Sequence, residues 1–328
     1  MTSFRTEIPP TPSSLKVTHR DAVLCIGSCF AEHMGARLER LKFPVLLNPF
    51  GIVYNPVSVA QALELLLSER GFGEADLFHH LGLWHSFAHH GQFSHPEKKV
   101  ALSNINRSLG RARLFLKKAN RLILTLGTAN VFVLKKTGEV VANCHKMPGQ
   151  EFARKRLSVG EVAQRLILVL GEMKERLPAL EVIVSVSPVR HLRDGLTENQ
   201  KSKATLLLGL EEVCRAHPFV HYFPAYEMVL DDLRDYRFYK KDLAHPNEMA
   251  VDYVWQHFEN AFFDEKTSAL CQRIERIKTA AEHRPLHPSS AAHQAFLRKQ
   301  IKAVEALGEA YPFLDFTEEL KVFAGQIG

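Results

Sequence analysis

The sequence predicts an α/β fold, a three-layer α/β/α sandwich built on a mainly parallel, doubly wound sheet of five strands. Short apolar runs alternate with longer amphipathic patterns up to about residue 262. Such alternation is typical of parallel strands joined by helices that cover both faces of the sheet. Because these crossovers are right-handed, a flavodoxin-like arrangement is the expected one. The predicted strands are 23–26, 44–47, 122–126, 182–186 and 220–223.

Helical periodicity fills the intervals between these strands. The predicted helices are 31–41, 57–68, 103–118, 159–176, 201–216 and 247–262. Three segments do not fit the alternation, and we expect insertions there that include a small hairpin beside the site. These segments are 83–93, 131–134 and 140–142.

The pattern changes after Phe263, where it becomes helical only, at 268–281 and 291–307. Pro285 and Pro288 interrupt the helical run, because proline cannot continue a helix. We therefore expect two units. The first is an α/β domain at 1–263, and the second is a helical C-terminal extension at 264–328 that packs on it.

Composition excludes several classes of protein. With 328 residues, 46% hydrophobic and 24% charged, the chain is typical of a globular protein. No apolar stretch approaches the roughly 20 residues of a membrane helix, so we expect no membrane contact. Residues 1–20 are polar and contain prolines, which predicts no secretory leader. The five cysteines are scattered and odd in number, which favours reduced thiols and a cytoplasmic location.

A net charge of +6 and a pI near 9.0 raise the question of nucleic-acid binding. The densest basic segment, 107–121, alternates with Leu109, Leu114 and Phe115, which is typical of an amphipathic helix with a solvated basic face. No zinc-finger, RNP or helix-turn-helix string accompanies it, and we expect no nucleic-acid partner. Gly-x-Gly-x-x-Gly, Walker and Gly-x-Ser-x-Gly strings are also missing from the sequence. We therefore expect no nucleotide or dinucleotide cofactor.

Two short strings carry side chains suited to acyl transfer. Gly27–Ala31 follows the first predicted strand, and the turn into the helix places Ser28 at the carboxyl edge of the sheet, where open α/β sheets bind ligands. Asp242 precedes His245 by three residues, close enough to hold the imidazole in one tautomer. Serine, histidine and carboxylate form a triad that is recognised by the role of each group. The alternative is that Asp242 or Asn247 only caps the following helix.

Cys29 is the alternative nucleophile. A thiol at the N-terminus of a helix can have its pKa lowered by the helix dipole and become a thiolate. The competing interpretation is that Cys29 is a small residue that fills space beneath the turn.

The string Gly27–Ala31 resembles the signature of the GSCFA-domain proteins, relatives of the SGNH (GDSL-like) hydrolases. The resemblance extends from about residue 23 to residue 258. Its further strings are Leu126–Ala129, Asn143–Lys146, Ser187–His191, Tyr222–Glu227 and Leu233–Tyr239.

The resemblance implies a serine esterase in which Ser28 is the nucleophile, His245 the base and Asp242 the group that orients it. The implied partner is a small-molecule or carbohydrate ester, for example an O-acetyl group on a carbohydrate. An acyltransferase with the same triad and a non-catalytic carbohydrate-binding module are the alternatives. The sequence does not indicate an oligomeric state.

The resemblance also implies an oxyanion hole made from the Ser28 amide, the amide of a glycine after the second strand, and an asparagine after the third. Gly51 matches the glycine, but Ala129 stands where the asparagine belongs. Loss of one donor costs about 3–4 kcal/mol of transition-state stabilisation, so another group is expected to replace it. The candidates are Thr128, Asn143 and His145.

Histidines are concentrated between the second and third strands, at positions 79, 80, 85, 89, 90 and 95. Their spacing is irregular, and no His-Glu-x-x-His or Cys-x-x-Cys string accompanies them, so we expect no metal. We expect instead that one wall of the substrate cleft is formed by Trp84, His85, Ser86 and His89 or His90, and that the other histidines lie on the surface. Arg190 and His191 follow the fourth strand, and we expect them to bind a substrate carboxylate or phosphate or, alternatively, only to pair with Asp194. The full set of predicted substrate-lining residues is His85, Ser86, His89, His90, His145, Arg190 and His191.

Overall fold

A computed structural model describes residues 6–9 and 12–327. Residues 1–5, the start of the segment expected to lack a leader, and residues 10, 11 and 328 lie outside this part. The strands are β1 (Val23–Gly27), β2 (Val45–Leu47), β3 (Phe78–His80), β4 (Leu83–His85), β5 (Arg121–Leu126), β6 (Asn130–Leu134), β7 (Glu139–Val141), β8 (Phe152–Arg156), β9 (Glu181–Val186) and β10 (Val220–Tyr222).

The helices alternate with these strands and then continue alone to the end of the described chain. They are α1 (Cys29–Arg40), α2 (Pro56–Leu67), α3 (Lys98–Leu116), α4 (Val159–Arg176), α5 (Leu196–Ala216), α6 (Ala225–Glu227), α7 (Glu248–Phe262), α8 (Glu265–Glu282), α9 (Ala291–Ala310) and α10 (Thr317–Ala324). Single helical turns also occur at Glu74–Asp76, Gly91–Phe93, Gly149–Glu151, Leu192–Asp194, Met228–Asp232 and Tyr236–Phe238.

The central sheet has five parallel strands in the order β10-β9-β5-β1-β2. The chain crosses from β1 to β2 on one side and returns to β5 on the other. This reversal of direction produces a crevice beyond the carboxyl ends of the strands, the usual ligand site of such sheets. Ser28 follows β1 at this crevice.

Helices cover both faces of the sheet and form two separate apolar cores. Along β1, Cys25 faces a core with Phe30 of α1 and Phe258 of α7. Leu24 points to the opposite face, where it joins a core that includes Leu63 of α2. Successive side chains of a strand point to opposite faces, so each of these strands contributes to both cores. The predicted three-layer α/β/α sandwich is confirmed.

Two helices begin earlier than the apolar pattern predicts. Helix α3 starts at Lys98 and α5 at Leu196, each five residues before its predicted start. The five extra residues of α5 are largely polar, so they add nothing to an apolar period, which explains the difference there. The extra residues of α3 include Ala101, which is buried in a small cluster with Leu77 and Ile105 rather than in the two cores of the central sheet. The predicted start of α3 is therefore wrong.

The insertions form two small antiparallel sheets, β3-β4 and β7-β6-β8, where the sequence predicts a hairpin. Strand β8 is not predicted, because only Phe152 among its five residues is buried. The rest of the strand is exposed and mostly basic, so it shows no apolar alternation.

The C-terminal extension contains three helices rather than the two predicted, α10 being the third. Its apolar residues Ile274, Leu297 and Phe323 share one core with Phe258. Glu319 of α10 is buried and pairs with Lys278 of α8 and, at 2.9 Å, with Lys42 of the α/β domain. The extension is therefore attached by both apolar packing and charge. The predicted boundary between residues 263 and 264 stays a prediction.

Neither a membrane-crossing helix nor a disulfide occurs in the described part of the chain. Of its helices, none combines the length and hydrophobicity that a bilayer crossing requires. All five cysteines carry free thiols.

Candidate active site

Ser28 is the N-cap of α1, immediately after β1. Its Oγ accepts a hydrogen bond from the Phe30 amide at 3.2 Å, and its own amide donates to the Thr125 carbonyl of β5 at 3.1 Å. The side chain is only 3% exposed. Gly27 makes this close turn possible, because a Cβ at that position would lie 2.5 Å from the Thr125 oxygen.

The environment of Cys29 disfavours a thiolate. Burial and, secondarily, the Glu32 carboxylate raise the pKa of the thiol. Its position at the start of α1 does not reverse this shift. A protonated thiol is a poor nucleophile, so this environment does not support the thiolate alternative.

Asp242 and His245 form a close pair on the loop before α7. His245 Nδ1 lies 2.6 Å from Asp242 Oδ2. Asp242 Oδ1 accepts hydrogen bonds from the amides of Ala244 and His245, both at 3.0 Å. These two amides, and then the imidazole, hold the pKa of the Asp242 carboxyl well below its usual range. The ionised carboxylate therefore accepts from Nδ1–H, which leaves Nε2 of a neutral imidazole as a proton acceptor.

Arg190 attaches this loop to the end of β9. Its amide donates to the Ala244 carbonyl at 3.0 Å, and its guanidinium lies over the Tyr239 ring at 4.0 Å and donates to the Leu243 carbonyl at 3.4 Å. Of the two alternatives for Arg190, the pairing with Asp194 is not made, because Asp194 pairs with Arg154, and the binding of a substrate anion stays a prediction. Arg190 stacks on an aromatic ring instead and supports the loop that carries His245.

Ser28 and His245 lie on loops at the same edge of the sheet, but no hydrogen bond joins them in the part of the chain that the structure describes. Ser28 follows β1, and the loop of His245 is held to the residues after β9, with β5 between these two strands. His191, beside that loop, is close enough to His245 for their charges to interact. The direct contact between the two predicted catalytic groups stays a prediction.

The predicted oxyanion donors are mostly engaged elsewhere. The Gly51 amide donates to the Asn48 carbonyl at 2.7 Å, and the Ser28 amide is bonded to β5. Thr128 Oγ1 is buried, 2.8 Å from Ser202 Oγ, and accepts from the Asn130 amide. These three donors are not free in this arrangement.

Asn143 and His145, the other two oxyanion candidates, lie on one loop. Asn143 Oδ1 accepts from the His145 amide at 2.8 Å. His145 Nε2 lies 2.8 Å from the Ser86 carbonyl, so that nitrogen is used within the inserted segment.

The other predicted lining histidines are also held inside this segment. His85 uses both ring nitrogens, with Ser94 Oγ at 2.6 Å and the His80 carbonyl at 3.0 Å. His89 Nδ1 lies 3.0 Å from Ser86 Oγ, and the His90 amide donates to the Phe50 carbonyl. Both ring nitrogens of His85 are thus occupied by tertiary contacts, and its place in the wall of a substrate cleft stays a prediction.

Burial keeps the central histidines of this cluster uncharged. It lowers the pKa of His89 to about 3 and that of His145 to about 4. No group of three or more metal-binding side chains suited to an ion occurs among the described residues. A cavity of about 630 Å³ opens beside Ser86, between α2 and the inserted strands, and neither Ser28 nor His245 lines it.

A sequence model of the GSCFA family matches residues 22–258, most of the chain. The chain belongs to the GSCFA family. A second model, described as the C-terminal domain of the GSCFA domain protein, matches residues 274–327. The two matches correspond to the α/β part and to most of the helical extension.

No curated protein sequence is significantly similar to this GSCFA chain. A solved structure described as "a putative platelet activating factor from Streptococcus pneumonia" is similar at 12% identity, with a TM-score of 0.39. The alignment covers 76% of this chain and 86% of that one. A likeness this distant carries no conclusion about activity.

Lys203 is a residue of this GSCFA chain that the sequence analysis missed. It is 1% exposed, and its Nζ donates to the carbonyls of Gly127 and Ser187, each at 2.6 Å. It thereby joins the segments that follow β5 and β9. Burial lowers its pKa to about 7. The helical spacing of α5 places Lys203 on the same buried stripe as Leu206 and Leu210. A lysine on an apolar stripe is the sequence feature that indicates a buried amine.

Two other buried nitrogens at the same edge have no hydrogen-bond partner in the described part of this GSCFA chain. They are Asn48 Nδ2 and His191 Nε2. The His191 ring packs against Tyr54, with 5.2 Å between the ring centres, and its Nε2 would lie 3.0 Å from a Cβ at Gly127. Burial, followed by the charge of Lys203, lowers the pKa of His191 to about 3. No local pattern in the sequence identifies such unpaired groups, because they arise from the packing of distant segments.

Proposed function

We propose that this GSCFA chain is a serine hydrolase of the SGNH type that cleaves ester bonds. Ser28 is the nucleophile, His245 the general base and Asp242 the group that orients the imidazole. The Asp242–His245 pair is the observation that carries the proposal. It sets the tautomer that a serine nucleophile needs, on a loop at the sheet edge where Ser28 lies.

The reaction follows from these three groups. Ser28 Oγ bonds to the ester carbonyl carbon while its proton moves to His245 Nε2 and the carbonyl electron pair moves to oxygen. The tetrahedral intermediate then expels the alcohol, which takes the proton from His245. Water repeats the sequence on the acyl-enzyme, releasing the acid and restoring the Ser28 hydroxyl. Another hydroxyl compound in place of water would make the same site an acyltransferase.

The proposal requires Ser28 to leave its capping contact with the Phe30 amide and meet the imidazole. Catalytic hydrogen bonds are often long in a free enzyme and tighten when substrate binds. Because Ser28 is almost fully covered, we propose a small acyl group as the substrate, such as acetyl on a carbohydrate hydroxyl.

A non-catalytic carbohydrate-binding module is the second candidate. It is favoured by the absence, within the described residues, of a hydrogen bond between Ser28 and His245, and by the burial of Ser28. The fold by itself does not establish activity.

Labelling with a fluorophosphonate probe separates these candidates. We expect one label on Ser28, lost in Ser28→Ala and His245→Ala, and retained in Cys29→Ala. A folded wild-type protein that refuses the probe and binds sugars would support the module. Loss of activity on alkylation of Cys29, with Ser28→Ala still active, would assign the reaction to the thiol.

A further inference from the structure

Acyl transfer at Ser28 develops negative charge on the substrate oxygen, which needs hydrogen-bond donors placed beforehand. The Ser28 amide, the Gly51 amide and the Thr128 hydroxyl are already committed to protein partners. The site therefore needs a donor that is close to Ser28 and has no partner of its own.

Asn48, after β2, meets this description. Its amide donates to the Cys25 carbonyl at 2.8 Å, and its carbonyl accepts from Gly51 at 2.7 Å. Its side-chain Oδ1 accepts from the Gly27 amide at 2.9 Å. Three of its four polar groups are thus fixed, and the fourth, Nδ2, has no partner among the described residues.

Asn48 is kept in this state against two costs. The residue is 5% exposed, and a buried donor without an acceptor loses its hydration without compensation. Its φ of +42° is in the left-handed region, which asparagine tolerates better than most residues but which is still unusual. Strain and unsatisfied polar groups that persist together are characteristic of functional sites.

The contact with Gly27 also fixes where this amide group lies. Gly27 immediately precedes Ser28, so Oδ1 anchors the Asn48 amide group one residue from the nucleophile. A donor held through its own oxygen needs no reorganisation when charge appears on the substrate, which is the condition for effective stabilisation.

We infer that Asn48, through Nδ2, donates a hydrogen bond to the substrate oxyanion formed at Ser28. This inference rests on the proposed function. His191 Nε2 at this edge is also unpartnered within the described part of the chain, but its ring lies against Gly127 and Tyr54 and is not anchored to the turn that carries Ser28.

Asn48→Asp is the informative variant, because the carboxylate keeps the acceptor for Gly27 and loses the donor. We expect kcat for p-nitrophenyl acetate to fall by roughly 10²–10³-fold with KM nearly unchanged. Asn48→Ala, which loses both contacts, is expected to fall at least as far. Asn55→Asp is the matched control: Asn55 is also 5% exposed, its Oδ1 accepts from the Ser58 amide, and it should retain wild-type kcat.

A measurement on the wild-type protein does not depend on how the variants fold. When the fluorophosphonate adduct forms on Ser28, its phosphoryl oxygen takes the place of the oxyanion. We expect the Asn48 Nδ2 proton resonance to move downfield on adduct formation, while that of Asn55 stays in place.

Each other outcome overturns the inference. Asn48→Asp with normal kcat, whether or not Asn48→Ala is slow, would reduce Asn48 to a brace for Gly27 or to no role. An equal loss in Asn55→Asp would mean that a buried carboxylate is enough to explain the effect. An unchanged Asn48 resonance in the adduct would exclude the hydrogen bond. Wild-type protein without Ser28-dependent labelling would instead refute the proposed function, and this inference with it.

Discussion

At the scale of single residues, the polar groups at the carboxyl edge of the sheet differ in how many hydrogen-bond partners they have. The Asp242 carboxylate accepts three hydrogen bonds, two from backbone amides and one from the His245 imidazole. In contrast, two buried nitrogens have no hydrogen-bond partner within the described residues, Asn48 Nδ2 and His191 Nε2. Lys203 is buried, and its amine donates to two backbone carbonyls. The groups that already have partners are held in place, and the two nitrogens without partners can still donate to or accept from a ligand.

Asp242→Asn tests the role of the carboxylate. The asparagine Oδ1 can still accept from the Ala244 and His245 amides, but its Nδ2 would then donate to His245 Nδ1. The imidazole proton would move to Nε2, which could no longer accept the proton of Ser28. We expect kcat to fall on the order of 10⁴-fold, measured on the same ester.

Asp235→Asn is the matched control for that change. Asp235 is exposed and accepts from the Arg237 amide in a similar turn, away from His245. Its kcat should stay at the wild-type value. Full activity in Asp242→Asn would contradict the assigned tautomer.

Lys203→Met tests the buried amine through the pH dependence of stability. The folded pKa, about 7, lies below the unfolded value of 10.5, so between these pH values the unfolded chain binds the extra proton. The free energy of unfolding of the wild-type protein should therefore rise with pH in this window, by roughly 1 kcal/mol per pH unit from this group. Lys203→Met should lose this contribution.

Urea unfolding at pH 7, 8 and 9 measures both proteins. Lys201→Met, an exposed position on the same helix, should keep the wild-type slope. Parallel pH profiles for wild type and Lys203→Met would refute the low pKa of Lys203.

At the scale of elements, the turn from β1 to α1 depends on how closely β1 approaches β5. The pairing of Gly27 with Thr125 leaves no volume for a side chain. Because Ser28 caps α1 directly after this pair, its position is set by strand pairing and by helix capping together. Arg190 fixes the position of the loop that carries His245, because its amide joins the end of β9 to this loop.

Gly27→Ala should destabilise the fold by about 3 kcal/mol, since its Cβ would meet the backbone of Thr125 and cannot be relieved by a side-chain rotation. Denaturant unfolding measures the loss. Gly110→Ala is the control, because Gly110 lies in α3 with open space around it and should gain roughly 0.5–1 kcal/mol. Equal stability of Gly27→Ala and wild type would mean that the two strands can separate at this point.

At the scale of the whole molecule, the C-terminal extension completes one of the two apolar cores. Residues of α8, α9 and α10 share a cluster with α1 and α7, so the extension covers a face that would otherwise be exposed to water. Glu319, between Lys42 and Lys278, adds a charged contact between the two parts. We therefore expect the extension to contribute to the stability of the α/β part.

Glu319→Gln should destabilise the protein by about 3–5 kcal/mol at pH 7, because it leaves two lysines beside a neutral group in a buried site. Burial raises the pKa of Glu319, but the hydrogen bonds from Lys278 and Lys42 outweigh it and lower the pKa overall. The stability from this group is therefore present above the unfolded pKa and lost as pH falls through the folded one.

The difference between wild type and Glu319→Gln should accordingly shrink on acidification, as measured by chemical denaturation at pH 7 and near pH 3. Glu318→Gln, beside it but exposed, should cost less than 1 kcal/mol. A pH-independent difference would assign the effect to packing rather than to charge.

Much of the fold was predictable because apolar periodicity is a property of short segments. The five strands of the central sheet and the helices between them lie close to where the pattern places them. Strand β8 and the first turn of α5 were not predicted, since exposed polar residues carry no period. The first turn of α3 was not predicted either, although Ala101 in it is buried. The cores and the three-layer arrangement then follow from covering both faces of a parallel sheet.

The site was predictable only in part. The Asp242–His245 pair and the position of Ser28 after β1 follow from local sequence, because both depend on residues within one turn. Tertiary contacts, by contrast, engage His85, Gly51 and Thr128, bury Lys203, and leave Asn48 Nδ2 without a partner among the described residues. Whether a polar group has a partner depends on segments far apart in sequence that meet at the sheet edge, and no local pattern records such meetings.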